Sequence, residues 1–245
     1  MIGSLFSRRQ QEPVFLSPEI DLHSHLIPGI DDGSKNLEES LEMLRIMSAL
    51  GYKKVITTPH VMADAYQNST QTILEGLQLL RQGALQAGIE MEIEAAAEYY
   101  FDEELVARLD KGDILTIEDE YLLFETSYFS KPLNFEEIVF EMQAKGYKVL
   151  LAHPERYRYV EDPRYEFGQM KELGIYFQLD INSLGGYYGR EAKENALLLS
   201  EWGMIDFLGS DIHHKKQVDY LKKVFLDTNY TKLLKRNKIL NDTLQ

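Results

Sequence analysis

Histidine is scarce in this chain, and its placement is selective. Of six histidines, five stand where a run of strand-forming residues gives out. His23 and His25 follow EIDL, His60 follows KKVITTP, His153 follows YKVLLA, and His213, two past Asp211, follows MIDFLGS. Glu98 and Glu125 close two further runs, IEMEIEAAAE and YLLFE. Each feature has an ordinary explanation when taken singly. An HxH pair puts two rings on one face of a strand simply because the side-chain period there is two, and a glutamate at a strand end is usually solvated. Taken together they point elsewhere, because the histidines avoid the helical stretches and the carboxylates share their positions. In parallel α/β folds the ligand face lies at the carboxyl ends of the strands. These side chains are therefore expected to converge on one mouth as a polynuclear metal site.

The donor set narrows the metal. The chain has no cysteine, which excludes disulfides, thiolate zinc sites, iron–sulfur clusters and a thiol nucleophile. Imidazole with carboxylate suits Mn²⁺, Fe²⁺ or Zn²⁺, and it carries too many nitrogens for Ca²⁺ or Mg²⁺. So many ligands exceed what one ion can take, so two or three ions are expected. Two adjacent ions can hold a bridging water, lower its pKa toward neutrality and aim it as hydroxide at an ester. Asp31 and Asp32 follow the histidine pair in DDG, which alone is good turn chemistry; beside HSH, one of them is expected to bend back as a further ligand. HPER places Arg156 just after His153, where a guanidinium makes a fork for phosphate oxygens. Net charge is −14, a field that repels a nucleic-acid backbone. Four carboxylates against three divalent ions and Arg156 still leave the site locally positive, so a phosphomonoester can be drawn in.

The elements that carry these residues repeat. Five times an amphipathic helical stretch ends at a glycine (Gly51, Gly88, Gly146, Gly174, Gly203) and a strand-like run follows, as expected where the residue after a helix turns left-handed. The helical stripes are Leu37/Leu41/Leu44/Ser48/Leu50, Ile73/Leu77/Leu80/Ala84, Phe135/Ile138/Val139/Met142, Phe167/Met170/Leu173 and Ala192/Ala196/Leu199/Trp202. Asn36 with Glu39 reads as a capping box. With EIDLH and YLLFET there are seven candidate strands, and strands alternating with helices imply parallel pairing. One α/β domain built as a closed βα barrel is expected, with an open doubly wound sheet as the runner-up. No glycine-rich phosphate loop opens any helix, and no linker divides the chain. No apolar stretch approaches the roughly 20 residues of a membrane span. The opening MIGSLFSRRQQEP has the wrong order for a signal peptide, so a cytoplasmic location is expected. Residues 1–19 read as a flexible extension and 20–245 as the domain.

The ordered set IDLHSH…DDG, TTPH, AAAEYY, LLFE, LLAHPER and GSDIHH resembles the polymerase-and-histidinol-phosphatase (PHP) family. More narrowly, it is similar to the manganese-dependent protein-tyrosine phosphatases of bacterial capsule and exopolysaccharide loci, the CpsB/CapC/YwqE type. The resemblance implies a distorted (β/α)₇, TIM-like barrel with three metal ions, Mn²⁺ before Fe²⁺ or Zn²⁺. Carried over motif by motif, it implies His23, His25, Asp32, His60, Glu98, Glu125, His153, Asp211 and His213 as metal ligands, and Arg156 as the phosphate-binding residue. It implies a phosphotyrosine phosphatase acting on the tyrosine-rich tail of a membrane-anchored tyrosine autokinase, near the inner face of the membrane. The alternatives are a PHP phosphatase for a small phosphomonoester such as histidinol phosphate and a metal-stabilised scaffold module. An amidohydrolase also uses HxH but commonly bridges its metals through a modified lysine, where Glu98 and Glu125 stand here.

Overall fold

The computed structural model describes residues 18–244. The extension expected over 1–19 lies outside the described residues, except for its last two. Pro18 is buried, and the Glu19 backbone is held by Lys53 N and the Asp242 carboxylate.

Strand β1 (Ile20–Asp21) leads to helix α1 (Leu37–Leu50), β2 (Lys54–Thr57) and β3 (His60–Val61) lead to α2 (Thr70–Gln86), and β4 (Glu92–Ala95) and β5 (Glu98–Tyr100) lead to α3 (Glu103–Lys111). Then β6 (Tyr121–Glu125) precedes α4 (Phe135–Ala144), and β7 (Lys148–Ala152) precedes α5 (Pro163–Glu172). Finally β8 (Tyr176–Asp180) precedes α6 (Ile181–Gly185) and α7 (Arg190–Glu201), and β9 (Phe207–Gly209) precedes α8 (Lys215–Phe225) and α9 (Thr228–Arg236).

Every pairing between these strands is parallel. One sheet has the order β1-β2-β4 and the other β3-β5-β6-β7-β8-β9. The two are parts of a single layer. β2 and β3 are one strand interrupted at Thr58–Pro59, where proline has no N–H for the ladder, and β4 and β5 are one strand interrupted at Ala96–Ala97. Ala96 N donates to Thr57 O at 3.0 Å and Glu98 N to Pro59 O at 3.1 Å, which carries the pairing across both gaps. The first and seventh strands meet just past their ends through a parallel bridge between Ser24 and Ile212. Asp211 N donates to His23 O at 2.8 Å and His25 N to Ile212 O at 2.9 Å beside it. Seven strand units thus close into a distorted (β/α)₇ barrel, and the open doubly wound alternative falls away.

All five glycines read as helix ends have positive φ. The helical stripes bury as expected except in α1 and at Leu173 and Trp202, the last residues of their stripes. In α1 the inward face is Met43, Leu44, Met47 and Leu50, while Leu37 and Leu41 are only partly buried and Ser48 is exposed. Two flexible thioethers, which fill irregular gaps, occupy places that a count of leucines passes over. Leu173 is 37% exposed because it lies beyond the end of α5. The Asn36 carboxamide caps α1 by accepting from Glu39 N at 3.0 Å.

Candidate metal centre

The histidine pair leaves β1 at its carboxyl end, and both rings are fully buried. His23 Nε2 lies 3.2 Å from Glu98 Oε2 and 3.2 Å from Asp211 Oδ1, and His25 Nε2 lies 3.4 and 3.2 Å from the same two oxygens. The two Nε2 atoms approach to 3.3 Å. His60 Nδ1 stands 3.1 Å from Glu98 Oε2 and 3.4 Å from Glu125 Oε1, and His153 Nε2 is 3.0 Å from Glu98 Oε1. At the mouth, Asp32 Oδ1 is 3.4 Å from His60 Nε2 and 3.5 Å from His213 Nε2.

These donors form three overlapping groups, each within 4.8 Å: His25/Asp32/His60/His213, His23/His25/Glu98/Asp211 and His60/Glu98/Glu125. His153 belongs to none of the three and joins them through Glu98. Six of the seven strand units supply these residues: His60 and Glu98 open the last segments of theirs, Glu125 ends its strand, and the His23/His25 pair, His153 and the Asp211/His213 pair follow theirs. At two of them, His153 (φ 34°) and Asp211 (φ 45°), a non-glycine residue holds left-handed backbone, a strain of about 1–3 kcal/mol that the surrounding structure sustains.

A second ring of residues orients the first. His23 Nδ1 is 2.8 Å from Gln178 Oε1, and His25 Nδ1 is 2.8 Å from Asp31 Oδ2. With the proton drawn to Nδ1, Nε2 is left with the lone pair a metal requires. The DDG turn therefore divides its labour, Asp32 facing the cluster and Asp31 standing behind His25. Gln178 and Asp180 escaped the sequence reading, although the signal was present. They are two polar residues at alternate positions of the apolar strand YFQLD, so both point inward.

Arg156 is drawn in from the surface, its side chain only 10% exposed. It follows His153 on a single 3₁₀ turn (Pro154–Arg156), and its guanidinium donates to Asp180 and, at 2.5 Å, to Asp211 Oδ2. Its Cζ sits 3.6 Å from the centre of the Tyr188 ring. The cavity over these residues measures about 650 Å³, with Tyr66, Tyr100, Tyr128, Tyr187 and Tyr188 among its walls.

Burial and crowding shift the site's protonation. Burial opposes charge on His23, yet the Glu98 and Asp211 carboxylates outweigh it and push the imidazole up to about 10. Glu125 is pushed up to about 8 by burial and by the Glu98 charge. His153 goes the other way, to about 4, through burial and the Arg156 cation.

Among the described residues, Glu98 Oε2, Asp211 Oδ1 and His60 Nδ1 are buried without a hydrogen bond. Anionic oxygens facing imidazole nitrogens in this way cost free energy unless a cation lies between them. The donors fit a cluster of divalent ions.

The model for the family described as capsular polysaccharide synthesis, CpsB/CapC, matches residues 19–233. The chain belongs to the CpsB/CapC family. Among curated relatives, tyrosine-protein phosphatase YwqE of Bacillus subtilis is 30% identical over 198 residues, covering 80% of this chain and 78% of the relative. Tyrosine-protein phosphatase CpsB of Streptococcus pneumoniae is 25% identical over 201 residues, covering 80% and 83%. A solved structure from work on YwqE of Bacillus subtilis and CpsB of Streptococcus pneumoniae, described as metal-dependent tyrosine phosphatases, superposes with a TM-score of 0.78 at 28% identity. That match covers 92% of this chain and 95% of the other. An amidohydrolase from Mycoplasma synoviae (TM-score 0.51, 14% identity) shares the fold alone. As in the amino-acid sequence, no helix among the described residues is long and apolar enough to cross a membrane.

Proposed function

We propose that this member of the CpsB/CapC family is a metal-dependent protein-tyrosine phosphatase. The observation that carries the reading is the convergence of five imidazoles and four carboxylates, counting His153, in one cluster, six of the nine lining a cavity of about 650 Å³ beside an inward-held arginine. The names of the relatives support the substrate class, and none of them supports the small-metabolite alternative. His23, His25, Asp32, His60, Glu98, Glu125, His153, Asp211 and His213 would hold the ions; the imidazole–carboxylate set suits Mn²⁺, Fe²⁺ or Zn²⁺, and the resemblance to manganese-dependent phosphatases puts Mn²⁺ first. When bound, the ions supply Lewis-acid charge and lower the pKa of a water toward neutrality.

The chain's own groups do the rest. Gln178 and Asp31 hold His23 and His25 in the tautomer that ligates. Arg156 offers its guanidinium to the equatorial phosphoryl oxygens, whose charge persists in a loose transition state. Asp211 uses both oxygens, one toward His23 and His25 and the other toward Arg156, so the phosphate fork and the metal cage share one residue. The tyrosines at the mouth give an aryl ring apolar faces to lie against. A phenol leaves with a pKa of about 10 and needs less protonation than an alkoxide. The absence of cysteine removes the thiol route. The partner consistent with this chemistry and with the capsule-synthesis family is the phosphotyrosyl tail of a membrane-anchored tyrosine autokinase, met on the cytoplasmic side.

Turnover of a phosphotyrosyl peptide, histidinol phosphate and p-nitrophenyl phosphate tests this with metal, after chelation, and after readdition of Mn²⁺ or Mg²⁺. The peptide is expected to be preferred, chelation to abolish turnover, and Mn²⁺ to restore it better than Mg²⁺. A large preference for histidinol phosphate would reject the substrate class. Full activity after exhaustive chelation would reject the metal, and inert metal-loaded protein would favour a scaffold.

A further inference from the structure

A second cavity of about 240 Å³ adjoins the metal cavity and shares Tyr128, Phe129, Arg156 and Tyr188 with it. Its remaining walls are Glu155 from the 3₁₀ turn, Arg158 from the segment after it, and Glu191 and Ala192 from α7. It lies below the roughly 300–1,000 Å³ of pockets that take a whole small-molecule ligand and has room for one side chain. The loop that forms its lip is pinned. Arg158 N donates to Tyr128 O at 2.8 Å, Thr126 N to Tyr157 Oη at 3.2 Å, and Phe129 N to Ser127 Oγ at 3.2 Å. On this fixed loop Phe129 is 72% exposed, with the Arg158 guanidinium 5.4 Å from its ring centre. Two arginines, Arg156 and Arg158, and two glutamates, Glu155 and Glu191, balance one another in walls that are otherwise aromatic and methyl, so the slot has no net charge with which to select a charged group.

The geometry points to a subsite for an apolar side chain adjacent to the phosphotyrosine in the substrate polypeptide. The inference rests on the phosphatase reading above and deepens it. Arg156 is common to both cavities, so a phosphoryl group on its guanidinium leaves the aryl ring in the larger cavity and the neighbouring residues at the entrance to the smaller. Successive Cα atoms are 3.8 Å apart, so a residue one or two positions along the chain reaches the slot. Burying an apolar side chain between Phe129, Tyr188 and Ala192 then adds binding that a free aryl phosphate cannot use. The subsite would select phosphotyrosines by their neighbours.

The test compares metal-loaded enzyme on phosphotyrosyl peptides that carry leucine or glycine on either side of the phosphotyrosine, with p-nitrophenyl phosphate and histidinol phosphate as references. A leucine peptide is expected to exceed its glycine counterpart in kcat/KM by roughly tenfold, the low end for apolar contacts in a pocket. Ala192→Leu fills the slot from within. Glu191→Trp covers it from an exposed helix position, which keeps the test available should the buried substitution perturb folding. In both variants the leucine-to-glycine ratio is expected to fall toward one, and turnover of p-nitrophenyl phosphate reports an intact metal site. Equal kcat/KM on both peptides, with each preferred to histidinol phosphate, would remove the subsite and leave the phosphatase reading standing. A ratio that survives in both variants would also overturn it. Peptides left untouched by enzyme that hydrolyses the small phosphates would bring down the phosphatase reading and the subsite together.

Discussion

Metal uptake by this centre must be a competition with protons, and individual residues decide it. His23, pushed up to about 10 by the Glu98 and Asp211 carboxylates against its burial, carries a proton at neutral pH before an ion arrives. Glu125, raised to about 8 by burial and the Glu98 charge, carries one too. Ligation needs a neutral imidazole and a charged carboxylate, so both protons leave on binding. Apparent affinity therefore rises with pH, and below about pH 8 each displaced proton costs about tenfold per pH unit. His153, already neutral down to about pH 4, contributes none. Calorimetric titration with Mn²⁺ at pH 7 in two buffers of different ionisation enthalpy should give clearly different heats; identical heats would contradict the protonation states. The convergence of the candidate ligands was legible in the amino-acid sequence because the carboxyl-terminal parts of the strands in a parallel fold share one face. Their supports were less so, because Gln178 and Asp180 act across strands on His23 and Arg156, and only the geometry of the DDG turn puts Asp31 rather than Asp32 behind His25. Of these, the alternating polar pair in YFQLD was open to being read.

At the scale of elements, the strands must approach closely enough for the ligands to meet, and two glycines allow it. A Cβ on Gly209 would lie 2.4 Å from Gln178 Nε2 and 2.7 Å from His23 Cβ, and one on Gly33 would lie 2.3 Å from His25 O. Gly209→Ala should push β9 off His23 and its glutamine, costing about 1–3 kcal/mol and lowering metal stoichiometry. Gly168→Ala is the contrast. It lies inside α5, and an added Cβ meets nothing within 4 Å, so it should stabilise by about 0.5–1 kcal/mol with metal content unchanged. Thermal unfolding with elemental analysis separates the two, and a tolerated Gly209→Ala would deny the close approach its role. The helix–glycine–strand rhythm exposed five helices, because each ends on a left-handed glycine. It missed α3, although Gly112 ends it in the same way (φ 67°), since its apolar residues are few and its charges dense. It also missed α6, α8 and α9, which arise where β8 and β9 are each followed by two helices.

For the whole molecule the weak point is the seam between the first and last strands, where side chains replace a backbone ladder. Ser210 N and Oγ donate to the Asp21 carboxylate at 2.8 and 2.7 Å, and the Asn241 carboxamide donates to Ile20 O at 2.9 Å and to Leu208 O at 2.7 Å. Above these lie the Ser24–Ile212 bridge and the donor group His23/His25/Glu98/Asp211, which draws ligands from both sides of the seam. An ion held there ties β1 to β9 as a staple would, and because it binds only the closed barrel it stabilises by mass action. The gain is about 4 kcal/mol when free ion exceeds its Kd a thousandfold. Chelation should therefore lower Tm, and it should do so unevenly. Amide exchange should quicken at His25 and Asp211, whose N–H groups cross the seam, while the interior amides of β6 and β7 stay protected by their continuous ladder. Asn241→Ala strands the Leu208 N–H and two carbonyls, at about 1–3 kcal/mol, and should make the barrel depend more heavily on metal for closure. Its Tm loss should thus be larger in chelator than in Mn²⁺. Uniform exchange across all seven strands after chelation, or equal Tm losses in the two conditions, would mean that the barrel closes without help from its ions.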